Sequence, residues 1–385
     1  MTKKPTLAIV TSVIDNRQAR GTALVARNFL KYLDEIKNDF EITLIHHTKN
    51  DDEIYRKYNE LIIPNYRFLV ASTMLNEVLF WLKLILKGQK FDVVHYMQPR
   101  VWPSYLFTPT RKIIITMHEA GIMLNLHHIG KGEKLFRFTN KYLNFRMHKI
   151  IAVSEYGKKE IRQYCGISPE KIAVIYNGID AGFNAVPVTP QLIQDLKNKY
   201  TILHPYILSV GRLDPHKNIL RLLDAYAGFR KSGGKENLVL VGGKHMEDYS
   251  KKVISKIDEL NLKNSVIITP FIPDADLPKV YSAAKALVYP SLHEGFGLPI
   301  IEAFACNTPV TCSNITSLPE VAGGAALLFD PNNTESITQA LTKITTDEQL
   351  RLDLILKGKK RLYDFNWHTE ATKLFTLYKN LSAPK

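Results

Sequence analysis

Cysteine is scarce in this 385-residue chain, and Cys165, Cys306 and Cys312 form no Cys-x-x-Cys pair and no even set. A disulfide framework and a zinc knuckle are thereby excluded, and a reducing, cytoplasmic setting is expected. Long apolar runs are missing too. The longest, Leu69 to Leu86, is interrupted by Asn76, Glu77 and Lys83, whereas a membrane-spanning helix needs about 20 mostly apolar residues. Met1 to Pro5 precede a strand-like run and carry no apolar signal core, so no export signal is expected. No Gly-x-Gly-x-x-Gly, Walker or His-Glu-x-x-His sequence occurs, which disfavours the usual dinucleotide dehydrogenases and P-loop NTPases. The adjacent pairs His46-His47 and His127-His128 cannot both face one metal from a strand, where neighbouring side chains point to opposite faces. No metal or other cofactor is expected. Repeats of solenoid period and low-complexity tracts are also lacking.

What is present describes a folded protein of two domains. Hydrophobic residues make up 45% and charged residues 23%, with 20 Gly and 19 Pro spread along the chain, and one domain accounts for roughly 150 residues. Lys and Arg (51) exceed Asp and Glu (37), an excess that suits polyanionic partners such as phosphates, nucleic acid or anionic lipid. Most of it lies in the first half, where residues 1–185 hold 27 basic against 17 acidic residues.

Short β-branched runs alternate with helix-length segments: Leu7 to Val13, Glu41 to His46, Asp92 to Tyr96, Lys112 to Met117, Ile150 to Val153 and Ile172 to Tyr176. After a loose, Pro-containing stretch from Asp180 to Pro190 the rhythm restarts with Tyr206 to Val210, Leu238 to Val241, Ser265 to Thr269, Ala286 to Tyr289 and Pro309 to Cys312. Continuously apolar strands between helices predict parallel sheets covered on both faces, and therefore an α/β protein of two doubly wound, Rossmann-like domains. The segment Phe365 to Leu381 reads as an amphipathic helix with Ala371, Leu374, Phe375 and Tyr378 on one side. In such sheets ligands bind beyond the carboxyl ends of the strands, so the residues that follow each strand matter most.

Two strand ends are rich in chemistry. Pro290-Ser291-Leu292-His293-Glu294-Gly295-Phe296-Gly297-Leu298-Pro299 follows a strand and opens a helix containing Glu302. Free amides near a helix N-terminus favour phosphates and sugar hydroxyls, Gly295 and Gly297 let the backbone approach a ligand, and the carboxylates of Glu294 and Glu302 can accept from paired hydroxyls. The plain alternative is a charged loop followed by a first-turn Glu that the helix dipole stabilises. Gly211-Arg212-Leu213-Asp214-Pro215-His216-Lys217-Asn218 also follows a strand, and Arg212 and Lys217 could clamp a diphosphate or be ordinary surface cations. In the first half, Arg20-Gly21-Thr22 is a candidate phosphate-facing turn. His118-Glu119 is a strand-end polar pair whose alternative is a hydrogen-bonded structural histidine.

Together these residues resemble the family-4 retaining glycosyltransferases, of GT-B fold. The strongest part is the Glu-x7-Glu pattern from Glu294 to Glu302. The match extends through Ala303, Thr308-Pro309-Val310, Ser317-Leu318-Pro319-Glu320-Val321, Asn177-Gly178-Ile179-Asp180, and Ser154-Glu155-Tyr156 with Lys158. The resemblance implies two Rossmann-like domains facing across a cleft: residues 1–183 for the acceptor, 184–364 for the donor, and 365–385 as a helix crossing back. It also implies that Arg212 and Lys217 hold the donor diphosphate, Glu302 the ribose, and Glu294 with Gly295, Phe296, Gly297 and Leu298 the donor sugar. Gly21 would join the donor site, and His118 would contact the transferring sugar. Two positions depart from the family pattern: Gly21 lacks its usual glycine partner, and Asn307 replaces a common Gly.

The implied activity is transfer of a hexose, with retention and without a metal, from a nucleoside-diphosphate sugar to a glycan or lipid-linked acceptor. The Glu294 to Gly297 and Ser317 to Val321 sequences look most like users of GDP-mannose, which points to polysaccharide or glycolipid synthesis. A UDP-sugar transferase, a same-fold epimerase or phosphorylase, a sugar-nucleotide sensor and a basic nucleic-acid-binding protein are the alternatives, the last disfavoured by the absence of a recognition motif. A basic segment from Lys131 to Lys149, read as a helix, puts Lys134, Arg137, Lys141 and His148 on one face, beside apolar Phe136, Leu143 and Met147. That face suits an anionic membrane surface, or it is a solvated cover helix.

Overall fold

In the computed structural model, every residue is described except 1–2, 16–20, 49–52, 65–72, 100–103, 120–143, 243–245 and 384–385. The chain divides into two compact units, Met1–Gly178 with Trp367–Lys385, and Ile179–Asn366.

Among the described residues, unit 1 is built on seven strands: β1 (Thr6–Val10), β2 (Glu41–His46), β3 (Asn59–Ile62), β4 (Val93–Tyr96), β5 (Ile113–Met117), β6 (Met147–Ala152) and β7 (Ile172–Val174). They lie parallel in the order β3-β2-β1-β4-β5-β6-β7. Unit 2 has six among its described residues: β8 (Tyr206–Val210), β9 (Asn237–Val241), β10 (Val266–Ile268), β11 (Ala286–Tyr289), β12 (Val310–Ser313) and β13 (Ala326–Phe329). They too are parallel, in the order β10-β9-β8-β11-β12-β13. The central strands are buried along nearly their whole length because helices cover both faces, which is why they read as continuous Val, Ile and Leu. In each sheet the strand order reverses once, between β1 and β4 and between β8 and β11. Loops leaving such a pair diverge to opposite faces and open a crevice at the carboxyl ends.

The first strand stops at Val10, and Ser12–Ile14 form a 3₁₀ turn in place of the expected extension to Val13. A helix reaching Lys149 does not form either. Asn144–Arg146 make a 3₁₀ turn, and Met147, His148 and Lys149 open β6, where β-branched Ile150 and Ile151 favour an extended backbone. Lys134, Arg137 and Lys141 lie outside the described residues.

The last helix, Trp367–Ser382, belongs to unit 1. Ala371, Leu374, Phe375 and Tyr378 are buried, and Tyr378 anchors the helix on the sheet through its hydroxyl, 2.6 Å from Nδ1 of His95. Nε2 of His95 meets the Thr116 hydroxyl at 2.8 Å. Burial, and then the charge of His118, pull the His95 pKa down to about 3. The ring is therefore neutral, and both nitrogens are satisfied inside the core. Gly178 completes the seam, since a Cβ there would lie 2.5 Å from Cγ of Trp367. Among the described residues no helix is long and apolar enough to cross a membrane.

Candidate active site

The reversal between β8 and β11 in unit 2 gathers the densest chemistry. β8 exits through Gly211 at φ 151°, and beside it β9 exits through Gly242 at φ 141°. The two turns press together: a Cβ on Gly242 would sit 2.3 Å from the Gly211 carbonyl oxygen. Glycine is required there by close approach as well as by φ. The chain then enters a 3₁₀ turn, Pro215–Lys217, and Asn218 follows in the left-handed region at φ 59°. The Asn218 amide donates to the carbonyls of Pro290 (3.2 Å) and Pro331 (2.8 Å), and the Leu292 amide donates to the His216 carbonyl at 2.7 Å. These bonds staple the loop after β8 to the loops after β11 and β13.

The staple delivers Lys217 to Glu294. The ammonium lies 2.5 Å from Oε1 of Glu294 and 2.9 Å from the Tyr289 hydroxyl, which itself donates to the same Oε1 at 2.7 Å. The ammonium also stands 5.1 Å from the Tyr289 ring centroid, a cation–π contact. Burial raises the Glu294 pKa, but the Lys217 and His216 charges and the hydrogen bond from Lys217 outweigh it and leave the group below its ordinary value. Glu294 is accordingly a carboxylate at neutral pH. Burial, then Glu294 and to a lesser degree Glu302, push the Tyr289 hydroxyl well up, so it remains a donor. Tyr289 thus feels both carboxylates of the Glu-x7-Glu pattern. Arg212 stands apart from this cluster: its side chain is 58% exposed, and its Nε lies 3.3 Å from Oδ2 of buried Asp214.

Beyond Glu294 the loop turns into the Leu298–Ala305 helix through Gly297 at φ 115°, where a Cβ would meet Leu318 at 2.8 Å. Pro299 occupies the first turn, where its missing N–H costs nothing. Glu302 is buried one turn further on and accepts a 2.6 Å hydrogen bond from Tyr281. After the helix, Asn307 takes φ 57°, a left-handed position that asparagine tolerates better than most residues. The replacement of glycine there is a matter of turn geometry.

The structure thus brings Lys217, Glu294, Gly295, Phe296, Gly297, Leu298 and Glu302 onto adjoining segments of unit 2, with Arg212 on the same loop as Lys217. Gly21 and His118 belong to unit 1. Gly21 precedes the Thr22–Leu30 helix at φ 65°. His118 is half-buried just after β5, with Nε2 3.0 Å from the Met97 carbonyl. Burial lowers its pKa, against the opposing pull of that carbonyl and of Glu119. Sequence reading missed Tyr289, although a hydroxyl at the last position of an apolar strand is the signal that could have found it. It also gave Ser317 no role, yet its hydroxyl reaches the carbonyls of Glu294 (2.9 Å) and Phe296 (2.8 Å).

Comparison with known proteins agrees with this architecture. Residues 19–183 match the family described as Glycosyltransferase Family 4, and residues 194–361 match Glycosyl transferases group 1. The O-antigen chain mannosyltransferase B of Escherichia coli is 31% identical over 283 residues, 72% of each chain. The serotype-specific mannosyltransferase WbdA of Escherichia coli is 31% identical over 264 residues, 68% of this chain and 32% of WbdA, so the match spans about a third of that longer protein. HepE of Anabaena, solved in complex with UDP and glucose, has the same fold, with a TM-score of 0.76 at 17% identity over 98% of this chain and 100% of that one. Two family matches in tandem, each on its own doubly wound sheet, and homology to O-antigen mannosyltransferases make this chain a family-4 glycosyltransferase of GT-B fold.

Proposed function

We propose that the protein transfers a hexose, with retention, from a nucleoside-diphosphate sugar to a glycan or lipid-linked acceptor, and that the donor is GDP-mannose. The observation that carries this reading is the convergence of Lys217, Tyr289 and Glu294 beside Gly211 where the β8 and β11 exits diverge. An ammonium has three donors, and Glu294 and Tyr289 take two; the third is assigned to the donor diphosphate. Arg212, at the rim, would close on the same phosphates as a planar fork. The amides of residues 295–298 and the Glu294 carboxylate would hold the sugar, and Glu302 the ribose. The relatives named as mannosyltransferases support mannose.

In the reaction the bond between the sugar's anomeric carbon and the phosphate oxygen breaks, its electron pair staying with the diphosphate. The acceptor oxygen bonds to the same face of that carbon, and its proton passes to the departing phosphate oxygen. No protein nucleophile is required. Lys217, Arg212 and the helix amides stabilise the charge that develops on the leaving group, the electrostatic role that prearranged donors play in other active sites, so the reaction needs no metal. His118, kept neutral by burial, is assigned to the transferring sugar. Thermal-shift screening of GDP-mannose, UDP-glucose and their free diphosphates, followed by turnover with and without acceptor, tests the reading, because a ligand of the folded state raises stability by mass action. A shift with UDP-sugars alone corrects the donor. Turnover that needs inorganic phosphate or no acceptor would identify a phosphorylase or an epimerase, and binding without turnover a sensor.

We further propose work at the cytoplasmic face of an anionic membrane. The amino-terminal ends of β5, β6 and β7, on the edge opposite the carboxyl-end crevice, carry exposed Arg111 and half-buried Lys112, Lys149 and Lys171, with Phe145 61% exposed beside them, whereas Arg146 there is held by the carbonyls of Tyr105, Thr108 and Thr110. Burial lowers the His148 pKa, opposed by its hydrogen bond with the Arg146 carbonyl and assisted by the charges of Lys112, Lys171 and Arg146. In the sequence, Lys134, Arg137 and Lys141 stand a few residues before Phe145.

A further inference from the structure

Behind the proposed sugar-binding loop, unit 2 closes a ring of contacts. Ser317, fully buried at the start of the Leu318–Ala322 helix, shares its single O–H between the carbonyls of Glu294 (2.9 Å) and Phe296 (2.8 Å) and so holds both peptide groups against one hydroxyl. At the far end of that short helix the Arg361 guanidinium donates to the carbonyls of Glu320 (2.6 Å) and Val321 (3.2 Å). The cap is Gly323 at φ 55°, where a Cβ would lie 2.5 Å from Nε of Arg361. Arg361 also pairs with Asp364 at 2.7 Å and lies 4.9 Å over the ring of Phe365. Phe365, wholly buried, meets Phe296 edge to face with centroids 5.5 Å apart. The path has returned to the loop where it began. On the helix that ends at Arg361, Gly358 fits so closely against the Leu298–Ala305 helix that a Cβ would come within 2.7 Å of Phe304.

Two of these attachments fall on peptide groups. Because the peptide unit is planar, fixing the Glu294 carbonyl fixes the direction of the Gly295 N–H, and fixing the Phe296 carbonyl fixes that of Gly297. The Phe296 side chain, held by Phe365, sets the remaining freedom between the two planes. We propose that Arg361 and Phe365 are positioning residues for the donor sugar: neither touches it, but through Ser317 and Phe296 they aim the Gly295 and Gly297 amides. This rests on residues 294–302 being the donor site. Phe365 has a second tie, since its carbonyl accepts the Ile179 amide at 3.0 Å, so the aim of the loop depends on the segments through which the chain enters and leaves unit 2.

The test compares Phe365→Leu, Arg361→Lys, Phe296→Leu and Phe296→Leu/Phe365→Leu in the full chain, with GDP and GDP-mannose titrated by calorimetry and melting followed in parallel. If UDP-glucose is the sugar nucleotide that shifts melting, UDP and UDP-glucose take their place. Each single variant is expected to weaken the sugar nucleotide by about three- to tenfold, within the range for coupled neighbours, and to leave the free diphosphate within about twofold. The double variant is expected to be no weaker than the poorer single. Arg361→Lys keeps the charge but loses the fork, and Ser317→Ala substitutes for Phe365→Leu if that variant does not fold. Variants that lower only the melting temperature, or a double variant whose losses simply add, would overturn the proposal. Lys217→Ala separates this from failure of the site itself: if it leaves both ligands unaffected, the donor-site reading falls and the positioning role with it.

Discussion

Lys217 and Glu294 form an ion pair 2.5 Å long in which the side chains are only 15% and 12% exposed. Removing one partner strands a buried charge, at a cost of about 3–5 kcal/mol. Lys217→Ala is therefore expected to lose both stability and turnover, whereas Arg212→Ala, at an exposed position, should keep the melting temperature and lose turnover by about 2–4 kcal/mol of transition-state stabilisation. Melting curves alongside kcat and kcat/KM check this. Wild-type turnover in both variants would refute the diphosphate assignment.

The two carboxylates are expected to divide their work. Glu302→Gln should weaken free nucleoside diphosphate and sugar nucleotide alike, because the ribose is common to both. Glu294→Gln should spare the diphosphate and weaken the sugar nucleotide. Calorimetry with both ligands decides, and equal losses for both ligands in both variants would end this division.

Chelation is expected to change nothing. Where a metal-dependent transferase would place acidic ligands for its ion, this site places Lys217 and Arg212. Activity in excess EDTA should equal that without it; activity lost on chelation and restored by Mg²⁺ or Mn²⁺ would overturn the metal-free mechanism.

His95 makes a prediction about acid. Its pKa is about 3 in the folded chain against an ordinary 6.5, so the two states bind protons equally above pH 6.5. As pH falls below that value the unfolded chain takes up a proton that the folded chain refuses. This group's contribution to stability then falls by about 1.4 kcal/mol per pH unit toward pH 3. His95→Gln should be less stable than wild type at pH 7, by about 1–3 kcal/mol for the buried partners left unsatisfied. The gap should narrow between pH 6 and pH 4. Urea unfolding at each pH measures it, and a constant gap would show that His95 does not titrate as described.

Electrostatic attachment to lipid is screened over about 8–10 Å near physiological ionic strength. Co-sedimentation is expected with anionic but not neutral vesicles, with release at high salt. Reversing Arg111, Lys112 and Lys171 to Glu should weaken binding, as should reversing Lys134, Arg137 and Lys141. If both triple variants bind like wild type, the membrane proposal fails.

The central strands were legible because burial on both faces leaves an unbroken apolar run. Glu41–His46, Tyr206–Val210 and Ala286–Tyr289 came out at their true limits. Two of the edge strands, β3 and β13, were not legible. Asn59–Ile62 and Ala326–Phe329 are each partly exposed, so neither shows the full hydrophobic pattern. The positions of Lys217, Glu294 and Glu302 beyond strand ends were legible, because strand and helix limits around them follow from local pattern. Contacts between segments distant in sequence were not: Asn218 with Pro331, Tyr281 with Glu302 and Phe296 with Phe365 depend on which helices pack together, and no local spacing encodes that. His95, inside β4, is a core residue whose partners are Tyr378 and Thr116, and a histidine carries no mark in the sequence of whether its partners are ligand or protein.

The seam between His95 and Tyr378 joins residues 283 positions apart in the chain, and everything between Gly178 and Trp367 belongs to unit 2. Unit 2 is contiguous, so all of its strands and helices are available once residue 366 has been made. Unit 1 is not. During synthesis its seven-stranded sheet waits, with the seat of Phe375 and Tyr378 uncovered, until an entire second domain has been added and the chain returns. The order of completion is therefore the reverse of the order of synthesis: the domain begun first is finished last.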